Sequence, residues 1–188
     1  MKYFLFAISI LISVISFSQS KKELLKEINT HIEKEYKNAT YKCSDVELKN
    51  AITDFLIKKN YTATYNDSNS LGFVKSSSYT YYLFANRTQF NNYEHTQLYI
   101  NIKILGNKNE NKTISVETST KNTPSQQTNR RLLGKIKTQD KQSLYKNLYN
   151  KFVNSKISLP KELTKKIIVY NKKQKKEDKK INFVGFNL

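Results

Sequence analysis

The chain has 188 residues, with 33 Lys and Arg against 15 Asp and Glu, for a formal net charge of +18. One cysteine, four glycines and no tryptophan exclude an internal disulfide, a cysteine-rich zinc site and a glycine-rich phosphate loop. The length suits one ordinary domain with a real core.

Met1-Lys2-Tyr3 supplies one positive charge, and Phe4 to Phe17 is an apolar run without charge, proline or glycine. This pattern predicts a cleavable signal peptide over residues 1–18, with cleavage after Ser18. The run is shorter than the roughly 18 to 20 residues of a membrane span. No cysteine stands at the junction for lipid attachment, so the mature chain is expected to be soluble, without a transmembrane segment. Ending in Phe17-Ser18-Gln19, this leader resembles those of exported proteins from low-GC Gram-negative bacteria. The resemblance implies an exported protein, periplasmic or secreted.

Leu24, Leu25, Ile28, Ile32 and Tyr36 recur at helical spacing and predict an amphipathic helix over 21–37. Ser44-Asp45-Val46-Glu47 reads as a capping box opening a second helix to about Lys59, with Leu48, Ala51, Ile52, Phe55 and Leu56 on its buried face. From Tyr61 the period becomes two. Tyr61 to Tyr65 is a short strand, and Asn66 to Ser70 a turn. Leu71 to Ser77 and Tyr79 to Ala85 are one long strand or two. Gln97 to Leu105, with Leu98, Ile100, Ile102 and Ile104 alternating, pairs as a hairpin with Lys112 to Thr120 across a loop at 106–111. Lys121 to Asn129 is loop, and Thr138 to Asn154 a third helix carrying Leu144, Leu148 and Phe152. These elements predict an α+β fold: an antiparallel β-meander of about four strands with helices packed on one face, plus a basic C-terminal extension. The expected division is a single domain over 19–156 and a basic helical or disordered tail over 157–188.

Lysine outnumbers arginine thirty to three, and asparagine occurs 21 times. AT-rich codons write such residues wherever a surface position need only be polar, so part of the charge is compositional. Its distribution says more. Residues 1–129 hold 16 basic and 11 acidic side chains, and residues 130–180 hold 17 and 4. A lopsided field points to a polyanion partner better than a total does. The adjacent Arg130 and Arg131 ask for guanidinium geometry, either for a phosphate or carboxylate ligand or for an internal salt bridge. The run 172–180 adds Lys172, Lys173, Lys175 and Lys176. These six residues form the expected polyanion site, although a solvated tail is the usual fate of a lysine run.

The two histidines, His31 and His95, are too far apart for a local metal motif, and no Gly-x-Ser-x-Gly elbow is present. Glu94 and His95 with Arg87 are the one acid–base set, but neighbours on a strand point to opposite faces. No catalytic residue, metal or cofactor is assigned. The aromatic run Tyr79 to Tyr93 reads as strand packing or as a stacking surface. Three functions are carried forward. The first is an exported non-enzymatic protein binding a macromolecular partner in the bacterial envelope. The second is a binder of nucleic acid, polysaccharide or anionic lipid through the basic third, and the last a secreted nuclease-like enzyme.

Overall fold

The structure is a computed structural model that describes residues 21–85, 88–106, 111–174, 180–182 and 186–187, with residues 79–85 and 88–93 described by their backbone. The expected signal peptide lies outside the described residues. The fold is α+β, as expected, with a four-stranded antiparallel sheet of order β1-β2-β3-β4. The strands are β1 (Thr62–Asn66), β2 (Ser70–Ala85), β3 (Thr88–Leu105) and β4 (Thr113–Lys121). Helix α1 (Lys21–Lys37) and α2 (Asp45–Lys58) precede the sheet, and α3 (Gln127–Phe152) follows it. A two-residue strand β5 (Ile157–Ser158), helix α4 (Lys161–Lys173) and strand β6 (Phe186–Asn187) close the chain. Among the described residues, no helix is long and apolar enough to cross a membrane.

The chain falls into two compact units: a sheet unit, residues 36–154, and a terminal unit, residues 1–35 with 155–188. This grouping parts the chain differently from a boundary at residue 156. The apolar stripe of α1 finds its partner in α4. Leu24, Ile28, Leu159, Leu163, Ile167 and Ile181 form one buried cluster, with Ile32 and Tyr170 at its margin.

In the sheet unit, α2 begins at the Ser44 cap. Glu47 N–H donates to Ser44 Oγ at 3.2 Å, and Glu47 Oε2 accepts from Ser44 N–H at 2.9 Å. The helix ends where Asn60, at φ 63°, turns the chain into the left-handed region and Tyr61 N–H returns to Leu56 O at 3.0 Å. One sheet face is the core. Leu71 and Phe73 of β2, Leu98, Ile100, Ile102 and Ile104 of β3, and Ile114 and Val116 of β4 are buried on it. They share it with Leu48, Ala51, Ile52 and Leu56 of α2 and Leu144, Tyr145 and Leu148 of α3. On the other face the Tyr65 ring lies on Gly72, where an added Cβ would fall 2.1 Å from a ring carbon.

The outer edge of β4 is closed. Tyr41 N–H donates to Lys112 O at 2.7 Å, Lys112 N–H donates to Tyr41 O at 3.0 Å, and Val116 N–H donates to the Tyr145 hydroxyl at 3.3 Å. The Lys112 side chain is fully buried and its ammonium meets Asp45 Oδ1 at 2.7 Å.

Helix α3 starts eleven residues earlier than its periodicity predicts. Gln126 provides no side-chain cap, and Gly134 interrupts the apolar spacing, yet Leu133 is buried. A Cβ added at Gly134 meets nothing within 4 Å. Gly134→Ala therefore removes backbone entropy without a clash, and denaturant unfolding should show a gain of about 0.5–1 kcal/mol.

Candidate functional site

The expected polyanion residues are divided between the two units. Arg130 and Arg131 stand at the start of α3 in the sheet unit, Lys172 and Lys173 in the last turn of α4 in the terminal unit, and Lys175 and Lys176 lie outside the described residues. Arg130 Nε donates to Pro124 O at 2.6 Å. Neither arginine meets a carboxylate among the described residues, so the guanidinium of Arg130 serves a backbone carbonyl. Arg131 is exposed.

The same loop explains Glu94, whose two carboxylate oxygens accept from Ser125 N–H at 3.1 and 3.0 Å. It supplies the negative charge that α3 lacks in its own first turn. Thr96 Oγ1 donates to Asn122 O at 2.7 Å. Thr96, Glu94 and Arg130 thus hold the backbone of residues 122–125. His95 points away from Glu94, and its Nδ1 lies 3.0 Å from Ser78 Oγ. The strand alternation separates the two side chains, and Arg87 lies outside the described residues.

The lysine run is tethered at both ends. Asn171 Nδ2 donates to Ile181 O and Ile181 N–H donates to Asn171 Oδ1, both at 2.8 Å. Ile181 is buried, and β6 pairs in parallel with β5. Asn171 in the last turn of α4 and Ile181 are thereby joined. Elsewhere in this unit α1 and α4 flank an open groove of about 760 Å³ lined by Lys26, Glu27, Thr30, His31, Pro160 and Lys166 among others. Glu27 and Lys166 pair at 2.9 Å, and His31 Nε2 donates to Ser158 O at 2.9 Å.

The most extended feature is a two-stranded ribbon. β1 covers β2 from Leu71 to Val74, and β4 covers β3 from Gln97 to Leu105. β2 and β3 continue together from Ser77↔Thr96 to Ala85↔Thr88, a reach of about 30 Å at some 3.4 Å per residue. Tyr79, Tyr81, Leu83 and Phe90 occupy register positions in line with the core column, and Tyr82, Phe84 and Tyr93 those of the other face. The alternation signalled strands here, but only the register shows that they outrun their neighbours.

A polar cluster went unread in the sequence. Tyr61 donates to Asp140 Oδ2 at 2.9 Å, and Lys75 Nζ lies 3.9 Å from that oxygen and 5.3 Å from the Tyr61 ring centre. Asp140 sits in a polar stretch of α3 that offers no apolar spacing. Burial pushes the Tyr61 phenol up, and its hydrogen bond to Asp140 adds to this. Burial likewise raises Tyr41 and Tyr145. Half-buried Cys43 is also raised, mainly by burial and then by Glu47, which disfavours a reactive thiolate.

Because the folded chain holds these phenolic protons more tightly than the unfolded chain, their contribution to stability is complete below their usual pKa of 10. It is lost as pH rises further, by about 1.4 kcal/mol per pH unit for each proton retained. Urea midpoints should fall above pH 10, and absorbance at the phenolate band should show Tyr41 and Tyr61 ionising only with unfolding.

No protein-family model matches the chain, and no curated protein or solved structure matches it significantly, so its function is read from its own residues.

Proposed function

We propose that this is an exported, non-enzymatic binding protein of the bacterial envelope that engages a macromolecular partner through the β2–β3 ribbon. The observation that carries the reading is the ribbon's passage beyond both neighbouring strands, combined with its composition. Between Lys75 and Lys103 the only charged residues are Arg87 and Glu94, while tyrosine and phenylalanine recur. Protein interfaces are enriched in these aromatics and depleted of lysine and acids. The engagement of Glu94 with Ser125, and of His95 with Ser78, favours binding over acid–base chemistry.

A photo-crosslinking residue at Ser78, in the cell that makes the protein, should give discrete protein adducts. The same residue at Val46, 66% exposed on α2, should give none. Replacing Thr80 to Tyr93 by Asn-Gly closes the hairpin at Tyr79↔Glu94 with a two-residue turn. It should preserve the circular dichroism and abolish adducts from Ser78. Equal labelling from both positions, or none from Ser78, refutes the reading.

The lysine run, flanked by the Asn171–Ile181 pair, favours a second reading, polyanion binding. Deleting residues 158–188 would strip the cover from Leu24 and Ile28, so charge removal is the cleaner test. Lys172, Lys173, Lys175 and Lys176 changed together to Gln should weaken heparin binding and flatten its salt dependence by about four charges' worth. Negligible heparin binding by the unaltered protein at physiological salt assigns the charge to composition.

A further inference from the structure

The edges of the sheet are not treated alike. β1 is five residues long, with a register break between Ala63 and Tyr65, and short bulged edges resist pairing. The outer edge of β4 is occupied by Tyr41 and Tyr145. The base of the ribbon on the β3 side is flanked by residues 122–125, held to Glu94 and Thr96. The β2 side of the ribbon has no such cover among the described residues.

The register fixes which amides that edge presents. Lys112 and Val116 aim their amides out of the sheet, so even-numbered residues of β4 face outward and odd-numbered ones bond β3. Ile104 N–H donates to Asn69 O at 2.8 Å, placing even-numbered residues of β3 toward β2. Their partners in β2 are odd-numbered, which leaves Ser76, Ser78, Thr80, Tyr82 and Phe84 with N–H and C=O directed away from β3. The sequence along this edge, Ser76 to Phe84, contains no lysine, proline, glycine or acid. Lysine, proline and acidic side chains are the devices by which exposed strands normally refuse a copy of themselves.

We propose that this edge pairs with the same edge of a second copy, antiparallel and centred on Thr80, joining two ribbons into one four-stranded sheet. The proposal rests on the reading of the ribbon as the docking element and names its occupant. The sequence is self-complementary in that register. Ser76 stands opposite Phe84 of the second copy, Ser77 opposite Leu83 and Ser78 opposite Tyr82, placing small residues against large ones. A two-fold axis through Thr80 makes the contact closed, so it ends at a dimer. An isolated two-stranded ribbon is marginal in water, and four strands remove that weakness. Each copy carries +18, so screening strengthens the association, opposite to the effect of salt on polyanion binding.

The test is sedimentation equilibrium of the purified protein at about 50 and about 500 mM NaCl. A dimer is expected whose dissociation constant falls on the order of tenfold at the higher salt. Thr80→Pro removes an edge amide while sparing the β3 ladder, and Thr80→Lys keeps the amide but adds a charge. Both should be monomeric with unchanged circular dichroism. Asn91→Pro, on the opposite ribbon edge, should still dimerise. A monomer at every concentration and salt, or a dimer indifferent to both Thr80 variants, overturns the proposal. Crosslinking from Ser78 separates the levels. An adduct of twice the chain mass supports self-pairing, whereas an adduct with another protein alone overturns self-pairing and leaves the ribbon as a docking element. No adduct removes both.

Discussion

A sheet's edge amides need partners, and much of this architecture follows from where they find them. On the β4 side the segment between α1 and α2 is laid against the strand, with Tyr41 bonded to Lys112 through both backbone groups. This buries the Lys112 side chain, and Asp45, the first residue of α2, meets its ammonium at 2.7 Å and offsets the loss of water. The ion pair therefore ties the start of a helix to the start of a strand 67 positions later in the sequence. Tyr145 then places α3 against the same edge by taking Val116 N–H on its hydroxyl. Two outward amides and one buried ammonium thus position three separate elements.

The opposite side is arranged by a turn. Asn60 ends α2 in the left-handed region, so the chain enters the sheet at Thr62 opposite Val74 and nowhere further along β2. Tyr61, immediately before the strand, is anchored beneath by Asp140. An asparagine tolerates positive φ better than most residues, and Tyr61 N–H bonded to Leu56 O locks the geometry. β1 cannot accompany β2 along the ribbon because its entry point is fixed by the helix before it. The uncovered edge is thus a consequence of a helix cap.

Local patterns carried α1, α2 with its capping box, and the alternation of β2, β3 and β4 directly into the structure. Each depends on neighbours within a few residues. The first half of α3 was hidden because Gly134 and the absent cap removed both cues, and the helix is held there by Leu133 and by Glu94, which lies 33 positions before Gln127. The early part of β3 was obscured by Asn91 and Asn92, residues that elsewhere mark turns. The pairing of α1 with α4 was illegible for a different reason. Periodicity says that Leu24 and Ile28 need an apolar partner, and it does not say that Leu163 and Ile167 supply it. The pair Arg130-Arg131 is unusual in this composition, and the loop over 121–129 is legible, but no local pattern says that the Pro124 carbonyl is what Arg130 meets.

Composition becomes informative where it departs from its own bias. In a chain that writes lysine indiscriminately, a lysine on the surface says little and its absence says more. Ser76 to Ile102 contains none, where the average of 30 in 188 would place about four. The buried stretch from Leu98 to Ile102 accounts for part of that gap, since core positions exclude lysine in any protein. The remainder falls on strands that extend beyond the helices' sheet partners, where an exposed edge ordinarily gathers charge. A strand whose edge amides have no partner among the described residues, and which also forgoes lysine, has given up the usual protection against strand addition. The contact proposed at that edge accounts for both features at once.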